Sequence, residues 1–325
     1  MKRTSIRGAF AAFIFVAVIS LFSGTAYSKD TAKEQCSLAI ISRSVAEGQS
    51  VCDGNTVRQM ALLGEAFQNS QRGIASILAI GPDYNIKEAV EWFQRAAQEG
   101  DPAAQVNLAV MYLNGWGTDK NEGAALHWLR AASDQRFPRA YFNLGVVYLQ
   151  GLGVRGDVKE AFKWFETGAE ANDSDAQANL GYMYDQGLGC TRSTATAASW
   201  YRKASDAGNP LGQYNLADLT LRGEGVSQND AEAFRLFQKA ADQGHTGALI
   251  KLGYMYAQGL GTKEDKETAY AWLWAASLAG DQRGRDLLTS LEGTLQPKQV
   301  SAARDRARTL THGRSQLMTA KAVTK

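Results

Sequence analysis

Residues 151–157 read GLGVRGD, and Gly151, Gly153 and Gly156 fit G-x-G-x-x-G, the pattern that cradles a dinucleotide pyrophosphate. That chemistry needs a strand before the glycines, a helix after them and an acidic residue about 20 positions further on. Other chemistries need other sets. A zinc site wants several His or Cys side chains at ligand spacing. The three histidines, His127, His245 and His312, have no second histidine or cysteine near enough to serve. A serine-type β-lactam hydrolase wants S-x-x-K, and no serine stands three residues before any lysine. Cys36 and Cys52 are close enough in sequence to close a small loop, where a disulfide would contribute about 3 kcal/mol; the alternative is two free thiols. Cys190 is left over. Acidic residues are numerous, but at positions that read as helix starts and outward faces. No catalytic, metal or cofactor site emerges, so the expectation is a non-enzymatic chain without a cofactor.

The elements that would position these residues are set by a repeat. Leu108, Leu144, Leu180, Leu216 and Leu252 fall 36 residues apart, and the same step joins Gly115, Gly151, Gly187, Gly223 and Gly259. It also joins Gly117, Gly153, Gly189, Gly225 and Gly261, and a large-residue series of Trp92, Trp128, Trp164, Trp200, Leu236 and Trp272. Each unit reads as two helices. The first opens at turns such as Asp101-Pro102, Phe137-Pro138 and Asn209-Pro210, with proline where its missing N–H costs nothing. It stops at the first glycine, which can take a left-handed cap, and the second glycine lets the chain turn back. The second helix opens at Asn85, Asn121, Asp157, Ser193, Asn229 or Asp265, all good N-caps. Glu88, Glu160 and Glu232 stand three residues later and predict capping boxes. Ala161, Trp164 and Gly168 then form an inward stripe of large and small residues.

One hairpin cannot bury both faces, so stacked hairpins are required. The fold class is therefore expected to be all-α, a right-handed α/α superhelical solenoid of helix hairpins with a 36-residue period. Five full units run from about 101 to 280, after a degenerate one containing Leu63, Gly64 and Phe67. QPKQVSAARDRARTL reads as a polar capping helix opening at Pro297. The glycine string resolves in this frame. A helix, not a strand, precedes Gly151, and Lys120, Arg192, Gln228 and Glu264 stand at the register position of Gly156. The third glycine completes the nucleotide pattern by accident, and Asp157 is a helix cap.

The ends are different in kind. Lys2, Arg3 and Arg7 precede an apolar run from Ala9 to Phe22 and then SGTAYS, the three-part layout of a signal peptide cut after Ser28. The run is short for a membrane span, so no stable membrane insertion is expected after cleavage. Without residues 1–28 the chain carries 32 basic against 33 acidic residues, a balance that does not suggest a nucleic-acid partner. From Arg283 onward nine basic residues face three acidic ones. This basic C-terminal tail is either a contact for an anionic partner or a solvated helix. The expected division is 1–28 signal peptide, 29–55 an N-terminal segment, 56–290 the repeats, and 291–325 a capping helix and basic tail.

The pattern A-x-x-x-L-G-x-x-Y-x-x-G-x-G-V followed by A-x-x-W-x-x-x-A occurs as AYFNLGVVYLQGLGV and AFKWFETGA from Ala140, and nearly as ALIKLGYMYAQGLGT and AYAWLWAAS from Ala248. It resembles the Sel-one-like repeat, a relative of the tetratricopeptide repeat, over about residues 56–290. The resemblance implies an adaptor that holds proteins or peptides in a concave groove, in bacterial envelope assembly or signalling, here periplasmic or secreted. Two alternatives stand beside it. One is a β-lactamase-like or penicillin-binding enzyme as attributed to cysteine-rich relatives, whose repeated cysteine pairs this chain lacks. The other is an envelope factor binding glycan.

First helices would line the groove, which makes Asn107, Asn143, Asn179, Asn215 and Lys251 one candidate row and Asn114, Gln150, Gln186, Arg222 and Gln258 a second. Such amides either hold a peptide backbone or bond a neighbouring repeat. Trp116 replaces the leucine between the loop glycines and Trp274 stands where Arg130, Glu166, Arg202 and Gln238 stand elsewhere. Each is a partner anchor or is covered by its own chain.

Overall fold

The structure is a computed structural model that describes residue 69 and residues 86–307. The regular elements among them are helices: α1 (Ile86–Gln98), α2 (Pro102–Asn114), α3 (Glu122–Asp134), α4 (Pro138–Gln150), α5 (Val158–Glu170) and α6 (Ser174–Gln186). They continue with α7 (Thr194–Asp206), α8 (Pro210–Arg222), α9 (Asp230–Asp242), α10 (Thr246–Gln258), α11 (Lys266–Leu278) and α12 (Gln282–Glu292). A last helix, α13, covers 297–307. The fold class is thus an all-α solenoid of tandem hairpins. The chain divides inside α4 into two compact units, one ending at Ala140 and one beginning at Tyr141. The signal-peptide layout, Cys36, Cys52, Asn85, the first-helix residues Leu63 to Phe67 and the end of the tail lie outside the described residues.

Helix starts follow the sequence closely. Asn121, Asp157, Ser193, Asn229 and Asp265 have extended backbones, and each side chain accepts from a first-turn amide of its second helix. The capping boxes of Glu160 and Glu232 do not close, however. The cap's own N–H is already donated to the first helix, from Asp157 to the Tyr148 carbonyl at 2.9 Å and from Asn229 to the Thr220 carbonyl at 3.1 Å. The two carboxylates pair with Lys163 and Arg235 instead. Asn121, Ser193 and Asp265 make the same backbone bond to Tyr112, Tyr184 and Tyr256, so one amide clamps every described hairpin loop.

The two loop glycines serve different needs. Gly187 and Gly223 end α6 and α8 in the left-handed conformation, with φ of 67° and 69°, and their N–H groups bond the fourth carbonyl back. The second glycine is there because of what it touches. A Cβ on Gly225 would lie 2.5 Å from the Thr194 carbonyl oxygen, and one on Gly261 would lie 2.2 Å from that of Asp230. Gly189 stands in the same way over Val158, and in the first unit Gly117 over Ile86. In every case the neighbour is the first residue of the preceding repeat's second helix. The loop therefore rests on a backbone, at a point where only hydrogen fits.

Packing inside each hairpin shifts the expected stripe by one residue. Phe93, Leu129, Phe165, Tyr201, Phe237 and Leu273 are the deeply buried second-helix side chains, while the tryptophan before them is half-buried in most repeats. The reason lies opposite: a Cβ on Gly145, Gly181 or Gly253 would strike Phe165, Tyr201 or Leu273, so that side chain fills the notch beside the glycine. Trp164 lies over the rim, stacked on Tyr141 and Tyr148 at centroid distances of 6.1 and 6.5 Å.

A glutamine row ties successive hairpins. In the first unit Gln105 donates to the Ala97 carbonyl at 3.1 Å and its own oxygen accepts from Gln135 at 3.0 Å. In the second unit Gln213 accepts from Gln243 at 2.9 Å. Gln177 donates to the Ala169 carbonyl, but its oxygen is buried without a partner, because the residue at the matching place is Ala207.

At the C-terminal end α13 opens at Pro297 as the sequence predicts and lays Ala303 and Ala307 on Tyr270 and Ala271. Trp274 packs against the same cluster and stacks on Tyr270, so its departure from the repeat is explained by coverage.

Two substitutions separate these effects. Gly225→Ala should cost about 2 kcal/mol or more, since strain and a backbone clash add, whereas Gly208→Ala, with a positive φ but open space around it, should cost about 1 kcal/mol. Equal denaturation midpoints for the two would refute the contact. Ala207→Gln should raise stability by about 1 kcal/mol by satisfying the Gln177 oxygen. The backbone at Ala207 already matches that at Gln135 and Gln243. A midpoint in urea no higher than that of the parent would show that the acceptor gains nothing.

Candidate partner-binding face

The first candidate row is less available than the sequence reading supposes. Asn143 and Asn179 are only 7% and 4% exposed, and Asn179 donates to the Asp175 carbonyl of its own helix at 2.8 Å. Asn107, Asn215 and Lys251 are half-buried. Lys251 carries its ammonium to Asp218 at 2.7 Å. Row two is more open: Gln186, Arg222 and Gln258 are exposed, and Gln150 and Asn114 half-buried. Asn114 bonds the Val110 carbonyl one turn back at 2.8 Å. Trp116 is half-buried and packs against the cluster of Phe93, Leu108 and Met111 in the first unit.

The row that the sequence reading passed over lies three residues beyond the asparagines: Val110, Val146, Tyr182, Asp218 and Tyr254. Tyr254 is 48% exposed, the most open aromatic on a first helix of the second unit. Asp218 is held from two sides, by Lys251 and by Arg222 at 3.0 Å, and Arg222 also reaches Glu224 at 2.6 Å. Asp218 breaks a row of valine and tyrosine, and Lys251 breaks a row of asparagine. The two departures meet. That signal was in the register, and pairing departures in adjacent repeats would have found it.

Asp185 is a third departure, standing where Leu113, Leu149, Leu221 and Ala257 stand elsewhere. One of its carboxylate oxygens is buried without a hydrogen-bond partner, and the nearest cation is Arg192 at 4.0 Å. Burial and then the Asp185 charge push the Tyr182 phenol up. The second-unit face thus presents Tyr182, Asp185, Gln186, Tyr254 and Gln258, with the Asp218 ion cluster between.

Elsewhere, the basic residues near the C-terminus are largely engaged. Arg304 bonds Glu292 at 3.0 Å and the Tyr270 hydroxyl at 3.3 Å, Arg306 lies 3.4 Å from Asp265, and Arg283 pairs with Asp281 at 2.7 Å. The Cys190 thiol is half-buried against the Met183 carbonyl at 3.6 Å, and burial, then Glu166, push its pKa up. Among the described residues no three His, Cys, Asp or Glu side chains gather as a metal would need, and no helix is long and apolar enough to cross a membrane.

His245 has a structural role. It caps α10, its Nδ1 accepting from the Ala248 amide at 3.2 Å while the ring stacks on Tyr214 at 4.4 Å. Asp101, Asp173, Asn209 and Asp281 cap α2, α6, α8 and α12 from the same register. An imidazole accepting from an amide must be neutral, and burial lowers its pKa to about 4.

These observations define a class of protein, a tandem helix-hairpin repeat. Within it the chain belongs to the Sel1 repeat family, whose repeat model matches 60–101, 102–137, 138–173, 174–209, 210–245 and 246–281. Sel1 repeat proteins are generally protein-interaction scaffolds, typically non-enzymatic. Among solved structures the chain is similar to a Sel1 repeat protein from Oxalobacter formigenes, with 27% identity and a TM-score of 0.59 over 70% of this chain and 88% of that one. It is also similar to a protective antigen of uropathogenic Escherichia coli that displays an SLR fold, with 25% identity and a TM-score of 0.48 over 81% and 64%. No curated protein matches the chain.

The His245 cap makes stability depend on pH. The folded pKa lies below the unfolded value of 6.5, so the unfolded chain binds the proton more readily and stability rises with pH between about 4 and 6.5. Acidifying from pH 6.5 toward 4 should cost up to about 3 kcal/mol. His245→Asn, which installs the residue found at Asn209, should keep the cap and remove this part of the slope. Urea titrations of both proteins at pH 7 and pH 5 check it, and parallel losses would refute the assignment.

Proposed function

We propose that the protein is an exported, non-enzymatic scaffold that binds a polypeptide on its first-helix face, in bacterial envelope assembly or signalling. The observation that carries the reading is the exposed Tyr254 beside the open amide of Gln258 on a first helix. Tyrosine supplies contact area at low entropic cost, and an amide offers both donors and an acceptor. The contact residues are then Tyr182, Gln186, Arg222, Tyr254 and Gln258, together with Asp185. Asn143 and Asn179 are too buried to serve as the main contacts. Export rests on the basic, apolar and small-residue layout of residues 1–28, and an anionic contact through the tail would draw on its basic residues, among them Arg308 and Arg314. A glycan would use the same exposed amides. A nucleophilic enzyme would call on Cys190, whose raised pKa opposes that use.

The test is site-specific photocrosslinking in a bacterial host. A photoreactive residue at Tyr254 or Gln258 should give a discrete polypeptide adduct in the periplasmic fraction. The same residue at Arg235, exposed on a second helix, should not. Adducts of equal strength from Arg235, or none from either first-helix position, would overturn the reading.

A further inference from the structure

One hairpin lacks the pair of large aromatic residues that its neighbours carry in sequence. The first helices carry Tyr112, Tyr148, Tyr184 and Tyr256 in one row, but α8 carries Thr220 there. The second helices carry Trp92, Trp128, Trp164, Trp200 and Trp272, but α9 carries Leu236. In the α4–α5 hairpin the corresponding Tyr148 and Trp164 rings stack on one another at 6.5 Å. Both large rings are therefore missing from the same place in the α8–α9 hairpin, and neighbouring residues do not fill the space. A half-open cleft of about 420 Å³ lies there, with Leu216, Thr220 and Leu236 among its lining residues. These three are buried, so they form the floor, while Arg202, Ser227 and Gln228 stand exposed at the rim.

One cation stands on the rim, and a second follows Leu236 at a spacing that recurs in the chain. Elsewhere a basic side chain three residues after the row tryptophan lies on the indole: Arg95 over Trp92 at 4.7 Å and Lys203 over Trp200 at 3.8 Å. Lys239 follows Leu236 at that spacing, is exposed, and has neither ring nor acid as partner. Arg202, on the rim of the cleft, has none either.

We propose that this cleft is a binding site for an aromatic side chain, of tryptophan or tyrosine size, presented by a partner polypeptide. The site lies where two rings that other hairpins carry are missing, with buried Leu216, Thr220 and Leu236 as a floor to take a ring and the unengaged Arg202 at the rim able to lie on its face. A polypeptide is favoured over a free small molecule because a small-molecule site encloses most of its ligand, whereas this cleft is open on one side. Its rim hydroxyl and amide, from Ser227 and Gln228, can bond a passing backbone. The site stands apart from the first-helix face around Tyr254 and does not depend on that reading.

N-acetyl-L-tryptophanamide is the probe, followed by two-dimensional NMR of the full mature chain, with N-acetyl-L-leucinamide as the apolar control. The aromatic probe should shift resonances of Thr220, Val226 and Leu236 in a saturable way, and the leucine analogue should bind at least tenfold more weakly. The double variant T220Y/L236W restores the register residues, so it should fill the cleft and abolish those shifts while leaving the melting temperature equal or higher. Should that variant not fold, Arg202→Glu, a surface change, should still weaken probe binding about threefold or more. The proposal is overturned if no saturable shift appears around the cleft, if both probes bind alike, or if Arg202→Glu and the filled variant bind as the parent does. Photocrosslinking from Tyr254 should be unchanged in the filled variant, so the two readings fail separately.

Discussion

The rest of the structure depends on a loop glycine seated on a backbone carbonyl. Gly225 over Thr194 and Gly261 over Asp230 leave no room for a methyl group, and Gly117 and, somewhat less tightly, Gly189 approach in the same way. A side chain is adaptable, whereas a helix's first carbonyl is not, so this contact fixes both the distance and the angle of one hairpin on the next. The bond from the cap amide to the tyrosine-row carbonyl, as from Asn229 to Thr220, then holds the loop in the shape that makes the seat. Once both are set, the leucine row, the notch glycines and the glutamine ties fall into register without further specification.

Much of this was legible in the sequence, because a repeat makes each position visible several times. The 36-residue step, the helix pairs, the N-caps and the capping helix at Pro297 all follow from periodicity and local chemistry. What periodicity could not show was the partner of each conserved-looking type within the row. The second glycine reads as a turn residue, and only the structure reveals the carbonyl beneath it. Glu160 reads as a capping-box residue, but the amide that it would accept from is spent on Tyr148. Trp164 reads as core, while its neighbour Phe165 takes the notch beside Gly145 and is the fully buried one.

The candidate site was less legible, for a related reason. Rows of like residues draw the eye, yet within the asparagine row Asn143 and Asn179 are buried and Asn179 is bonded to its own helix. The features that distinguish one face from another are departures from the rows, and they come in pairs. Asp218 and Lys251 leave different rows and meet across a repeat boundary, and Thr220 and Leu236 leave different rows and open one cleft. A departure read alone looks like drift, and a pair that shares a place in the fold has a physical meaning.

The Asp218 to Lys251 contact has a bearing on how such an array can change in length. Tandem arrays grow and shrink by gain or loss of whole segments, and a seat made of glycine on carbonyl is indifferent to which copies adjoin. The ion pair is not indifferent. Excising 210–245 would leave Lys251 opposite Tyr182, with its carboxylate gone and no acid in that row to replace it. This joint is keyed, so it marks a boundary across which the order of the copies has become part of the protein's identity.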